Sequence, residues 1–102
     1  MSVYLDGFSS WKDVARDFQT DAPEPDEVLF AEYDLSQAYE GSADVIFRRG
    51  DKFYWASGGH CSCYGLEGQW EPVEYDAETL AAALERHYHR DKWAPLIAQL
   101  RA

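Results

Sequence analysis

The sequence predicts an α+β fold: a small antiparallel sheet of about three to four strands, built on a central hairpin and packed against N-terminal and C-terminal helices. Three observations predict it. Helix-period apolar spacing occurs near both ends of the chain, β-rich and alternating runs fill the middle, and Gly- or Pro-containing turns separate them.

The first helix starts at Ser10, a good N-cap residue. Trp11, Val14, Ala15 and Phe18 follow at i, i+3, i+4 and i+7, one helical face. Asp13 sits in the first turn, where the helix dipole favours a negative charge. The stretch from Thr20 to Glu27 carries two prolines and four carboxylates and reads as an extended, solvated connection. From Val28 to Leu35, Leu29, Ala31, Tyr33 and Leu35 alternate with Glu32 and Asp34, a strand pattern. Ser36 to Ser42 reads as a loop. The runs 43–48 and 52–57 then form a hairpin across Arg49-Gly50-Asp51.

The stretch from Gly58 to Pro72 holds four of the seven glycines, both cysteines and His60. It reads as a compact loop in which Gly58, Gly59, Gly65 and Gly68 supply positive φ angles. Tyr64, Leu66 and Trp70 fold back onto the sheet, and Gln69-Trp70-Glu71-Pro72 serves as a return strand. Asp76 then caps a helix whose apolar face is Ala77, Leu80, Ala81, Leu84 and Tyr88. Pro95 prevents one continuous helix, so Trp93, Leu96, Ile97 and Leu100 belong to a second, short one.

Residues 1–102 are expected to form a single domain, a length that buries a modest core. Composition is 46% hydrophobic and 16% aromatic, too apolar for a disordered chain. No apolar run approaches the roughly 18 residues of a membrane span, and no secretory signal opens the sequence, so a cytoplasmic location is expected. Cys61 and Cys63 lie too close in sequence for ordinary disulfide geometry and read as reduced thiols.

Net charge is −10, unevenly spread. Residues 13–47 hold ten carboxylates against Arg16 alone, and residues 64–85 hold six with no base. Such a chain repels nucleic acid and anionic membranes and is steered toward basic surfaces. The candidate contact residues are Asp21, Glu24, Asp26, Glu27, Glu32 and Asp34 in the first block, and Glu67, Glu71 and Glu74 in the second.

Chemistry has less support. His60, Cys61 and Cys63 are competent metal ligands, but they supply one tight Cys-x-Cys knuckle where structural zinc sites use two. A thiol nucleophile needs an oriented base, and acidic surroundings raise a thiol pKa. No phosphate loop follows Gly65 or Gly68, and no carboxylate pair stands out for acid–base work. No cofactor and no catalytic residue are expected.

The segment from His60 to Pro72, His-Cys-Ser-Cys-Tyr-Gly-Leu-Glu-Gly-Gln-Trp-Glu-Pro, resembles one found in small acidic proteins of bacteriophages and prophages. The resemblance spans about residues 40–85 and implies a small accessory protein without an assigned activity. With the charge, it leads to one expectation: a non-enzymatic inhibitor that occupies a basic, nucleic-acid-binding surface of a host defence complex, as anti-CRISPR proteins do. The alternative is a small metal-binding or thiol-dependent domain using His60, Cys61 and Cys63. A homodimer is a further expected partner, because sixteen aromatics exceed what so small a core should hold.

Overall fold

The computed structural model describes residues 3–35, 40–61, 65–87 and 90–102. In chain order the elements are β1 (Tyr4–Asp6), α1 (Trp11–Phe18), β2 (Glu27–Asp34), β3 (Glu40–Arg49) and β4 (Lys52–Cys61). Then come β5 (Val73–Tyr75), α2 (Ala77–Glu85), a 3-10 turn (Arg90–Trp93) and α3 (Ala94–Arg101). The strands form one sheet in the order β1-β2-β3-β4-β5. The α+β class holds, with five strands in place of three to four. The sheet is mixed, because β1 runs parallel to β2 while the other pairs are antiparallel. The strand not expected from sequence is β1, a three-residue edge too short to show alternation.

The sheet divides the core in two. Its first face carries Val28, Ala31, Ala43, Val45 and Phe47, covered by Phe8 and by Trp11, Val14 and Phe18 of α1. Its second face carries Phe30 and Ile46, covered by Leu80 and Leu84 of α2, Trp93, and Leu96 of α3. A bulge makes this division possible. The β2–β3 register slips between Val28 and Phe30, so Val28 opposes Phe47 on one face and Phe30 opposes Ile46 on the other. Strict alternation puts Leu29 beside Ala31; with the bulge, Leu29 packs on the opposite core.

The hairpin is longer than its apolar centre implies. β3 begins at Glu40, so Gly41 and Ser42 are strand residues, and β4 continues through Gly58, Gly59 and His60 to Cys61. The first part of the glycine-rich stretch is therefore sheet, with glycine chosen for space. A Cβ on Gly58 would lie 3.1 Å from the Phe18 ring and 3.2 Å from Leu66. Of the four glycines there, only Gly68 has positive φ, at +77°. The return strand lies just beyond Pro72, at Val73–Tyr75, because Gln69 uses its side chain rather than its backbone to pair with β4. At the tip, Gly50 has φ +62° and is the first of two loop residues between the paired Arg49 and Lys52.

Helix ends follow local chemistry. Ser10 occupies the N-cap of α1 without a side-chain bond; instead the Asp13 carboxylate accepts from the Ser9 N–H at 2.9 Å and its hydroxyl at 2.6 Å. Asp76 and Thr79 form a reciprocal capping box at α2. Pro95 falls in the first turn of α3, where its missing N–H costs nothing. Tyr88, expected on the α2 face, lies outside the described residues.

The aromatics are accommodated. Among the described residues no Trp, Phe or Tyr is exposed; the exposed large apolar side chains are Val3, Leu5, Leu35 and Val73. Both cores use rings against rings, edge to face, as aromatic quadrupoles favour.

Candidate acidic contact face

The layer covering the first face consists of residues 9–26 and 65–72; with Glu74, on the β5 edge beside Tyr54, it carries eight carboxylates and two cations. The layer covering the second face, residues 76–102, carries four of each. Both acidic blocks of the sequence contribute to the first layer, and tertiary structure joins them there.

The joining rests on Trp70 and Gln69. Trp70 stacks on Phe47 at 5.7 Å with 8° between planes, and meets Trp11 and Phe18 edge to face at 5.6 and 5.1 Å. Gln69 accepts from the Gly59 N–H at 2.9 Å, and its amide donates to the Gly59 carbonyl at 2.8 Å and the Gly65 carbonyl at 2.7 Å. One side chain thus makes the paired bonds of a strand residue and closes the loop that holds buried Leu66. The Thr20–Asp26 connection, expected to be solvated, is also tied down. Trp11 Nε1 donates to the Ala22 carbonyl at 3.0 Å, and Arg49 donates to the Pro23 and Glu24 carbonyls while lying over the Trp11 and Phe47 rings.

The expected contact residues fall into two groups. Asp21 and Glu71 line one open concavity of about 660 Å³, together with Phe18, Gln19, Thr20, Gly68 and Trp70. Glu24, Glu67 and Glu74 are exposed in the same layer. Among the described residues no cation lies within ion-pair distance of these five carboxylates. The other four are occupied or lie elsewhere. Asp26 accepts from the Gly50 N–H at 2.6 Å and faces Arg48 at 3.9 Å; Glu27 faces Arg48 at 3.6 Å. Glu32 pairs with Lys92 at 3.1 Å on the second face, and half-buried Asp34 follows it on that face by alternation. The nine carboxylates therefore do not share one surface, because adjacent strand positions alternate and two are neutralised at the hairpin tip.

Electrostatic coupling within the layer is visible at two phenols. Burial pushes the Tyr33 pKa up, and Asp17 of α1 and Glu67 of the loop push it further. Burial also raises Tyr54, with the Glu74 carboxylate adding to it; the Tyr54 hydroxyl donates to Glu74 at 3.3 Å.

His60 and Cys61 are consecutive in β4 and so point to opposite faces. His60 lies across Gly41, its Nδ1 2.9 Å from the Tyr33 hydroxyl; a Cβ on Gly41 would strike the imidazole. The histidine thus joins β2 to β4 over an intervening glycine. Cys63, the third member of the proposed ligand set, lies outside the described residues, and among those described no three metal-ligating side chains gather. No helix among them is long and apolar enough to cross a membrane.

Sequence reasoning missed the Trp70 concavity, the Gln69 clasp and the Tyr33–His60 contact. Each depends on residues far apart in the chain; the apolar residues at 66 and 70 advertised a fold-back but not what they would meet. No family model matches the chain, and neither a curated protein nor a solved structure shows significant similarity to it.

Proposed function

We propose that this is a non-enzymatic binding protein whose acidic layer occupies a basic, nucleic-acid-binding surface of a cytoplasmic host defence complex, in the manner of an anti-CRISPR inhibitor. The observation that carries the reading is the group of five exposed carboxylates, Asp21, Glu24, Glu67, Glu71 and Glu74, on one layer without ion-pairing cations among the described residues. Unneutralised carboxylates on a rigid surface can stand in for phosphates and steer rapid association with a basic groove. The phage resemblance of residues 60–72 supplies the biological setting. The proposed contact set leaves out four further sequence candidates: Asp26 and Glu27 face Arg48, Glu32 pairs with Lys92, and Asp34 follows Glu32 on the second face.

The test is competition. Purified CRISPR effector complexes are assayed for target-DNA binding with and without the protein, at low and high salt. Loss of DNA binding, reversed by salt and absent in a variant with all five carboxylates changed to Lys, is the expected result. DNA binding that is unaffected at every salt concentration removes the reading.

A further inference from the structure

We infer that the concavity between α1 and the 65–71 loop receives an arginine side chain of the basic partner, with the Trp70 indole as platform and Asp21 and Glu71 as the charged rim. This rests on the acidic-face reading and names the chemistry of its contact. Three features converge. Phe18 and Trp70 line the depression, so it offers aromatic surface rather than carboxylates alone. Phe47 lies parallel to the indole and Trp11 and Phe18 meet it edge to face, so the half-buried ring that lines the concavity is held before any partner arrives. Asp21 and Glu71 approach from different segments, one after α1 and one after the loop, and neither has a cation of this chain beside it among the described residues.

This combination selects a guanidinium over an ammonium. A planar guanidinium stacks on an indole face and forks its N–H groups to carboxylates, whereas lysine is a strongly hydrated point charge with no plane to stack. Phosphate, nucleic acid and acidic peptides are repelled by the same rim. Two residues in the left-handed region, Gln19 with φ +54° and Gly68 with φ +77°, lie in the walls of the depression.

The test uses an acetylated tri-arginine amide and its tri-lysine counterpart, titrated into the intact protein. The readout is the indole N–H resonance of Trp70, assigned by its absence in Trp70→Phe. A saturable shift of that resonance by tri-arginine is expected, with tri-lysine binding about tenfold more weakly. Asp21→Asn with Glu71→Gln should weaken tri-arginine binding about tenfold, while Glu24→Gln with Glu74→Gln, an equal charge loss elsewhere in the layer, should change it less than about threefold. Equal loss in the two double variants, equal binding of the two peptides, or a shift at other tryptophans but not at Trp70 overturns the inference. Any of these alongside intact DNA competition removes the concavity and leaves the acidic-face reading. Arginine binding at Trp70 without DNA competition does the opposite.

Discussion

The two layers on this sheet solve the same covering problem with opposite charge economies. The C-terminal layer pairs two of its cations with carboxylates: Arg101 bonds Glu78 at 3.0 Å and also Glu85 within the layer, and Lys92 reaches Glu32 and Asp44 on the sheet beneath it. The Lys92 ammonium also lies 4.9 Å from the Trp93 ring centroid, directly above the second core. The α1 layer has two cations, of which Arg16 is absorbed by Asp13 and Asp17, and leaves most of its carboxylates to solvent. One layer is built for closure. The other packs more rings into its core, Trp11, Phe18 and Trp70 against Trp93 among the described residues, yet presents uncompensated charge, which is expected where a surface must meet something basic.

The largest effect should come from the closed layer. Trp93 is fully buried among Phe30, Trp55 and His87. Trp93→Ala should cost about 3–5 kcal/mol in denaturant unfolding, the range for removing a large buried ring. Trp70 is half-buried, so Trp70→Ala should cost less. If the order reverses, the α1 layer is the true stability centre and the contrast collapses.

Next is Gln69. Its alanine variant removes three hydrogen bonds and leaves the half-buried backbone of Gly59 unsatisfied. A loss of about 1–3 kcal/mol is expected. Gln69→Glu should be worse, because a carboxylate would face the two carbonyls that now accept from the amide. Hydrogen exchange at the Gly59 amide reads the local opening directly, and protection unchanged in Gln69→Ala would show that the loop is held by Leu66 and Trp70 alone.

A smaller effect is expected at the α2 cap. The Asp76 carboxylate sits below the usual carboxylate range because the Thr79 N–H and hydroxyl bond to its charged form. A folded pKa below the unfolded one adds stability above the unfolded value, about pH 4, and that contribution disappears as pH falls through the folded pKa. Asp76→Ala should therefore lower Tm by about 4 °C at neutral pH. The gap to the parent should close progressively below about pH 4. A gap independent of pH would mean the cap acts through Thr79 rather than through the carboxylate.

The contrast between layers was only half legible in sequence. Trp11, Val14 and Phe18 at helical spacing, the Asp76 cap, and the hairpin at Gly50 each declare themselves within a few residues. The bulge at Leu29 does not, because one inserted residue changes no composition yet moves a side chain to the other core. The glycines at 58 and 59 look like loop residues because sequence cannot distinguish glycine needed for φ from glycine needed for space; Phe18 and Leu66 show that Gly58 is the second kind. Charge density read correctly as acidic, but its grouping did not. Asp26 and Glu27 are nearest neighbours of Glu24 in sequence and are quenched by Arg48, while Asp21 and Glu71 are fifty residues apart and share a wall.

The smallest effect on stability should belong to the residues that matter most for the proposed role. Glu71→Lys and Glu74→Lys alter exposed side chains without ion pairs among the described residues, so each should change unfolding free energy by less than about 0.5 kcal/mol. A slight gain is the favoured sign, since each reversal relieves repulsion in a chain of net charge −10. Association with a basic partner should nevertheless slow steeply, and the slowing should fade as salt rises through about 0.15 M toward 1 M, where the screening length falls from about 8 Å to about 3 Å. Reversal of Glu85, in the balanced layer, breaks the 2.6 Å pair with Arg101 and should do the opposite: measurable destabilisation and an unchanged association rate. If Glu85→Lys slows association as much as Glu71→Lys, the partner reads total charge rather than one face, and the division of labour between the layers is false.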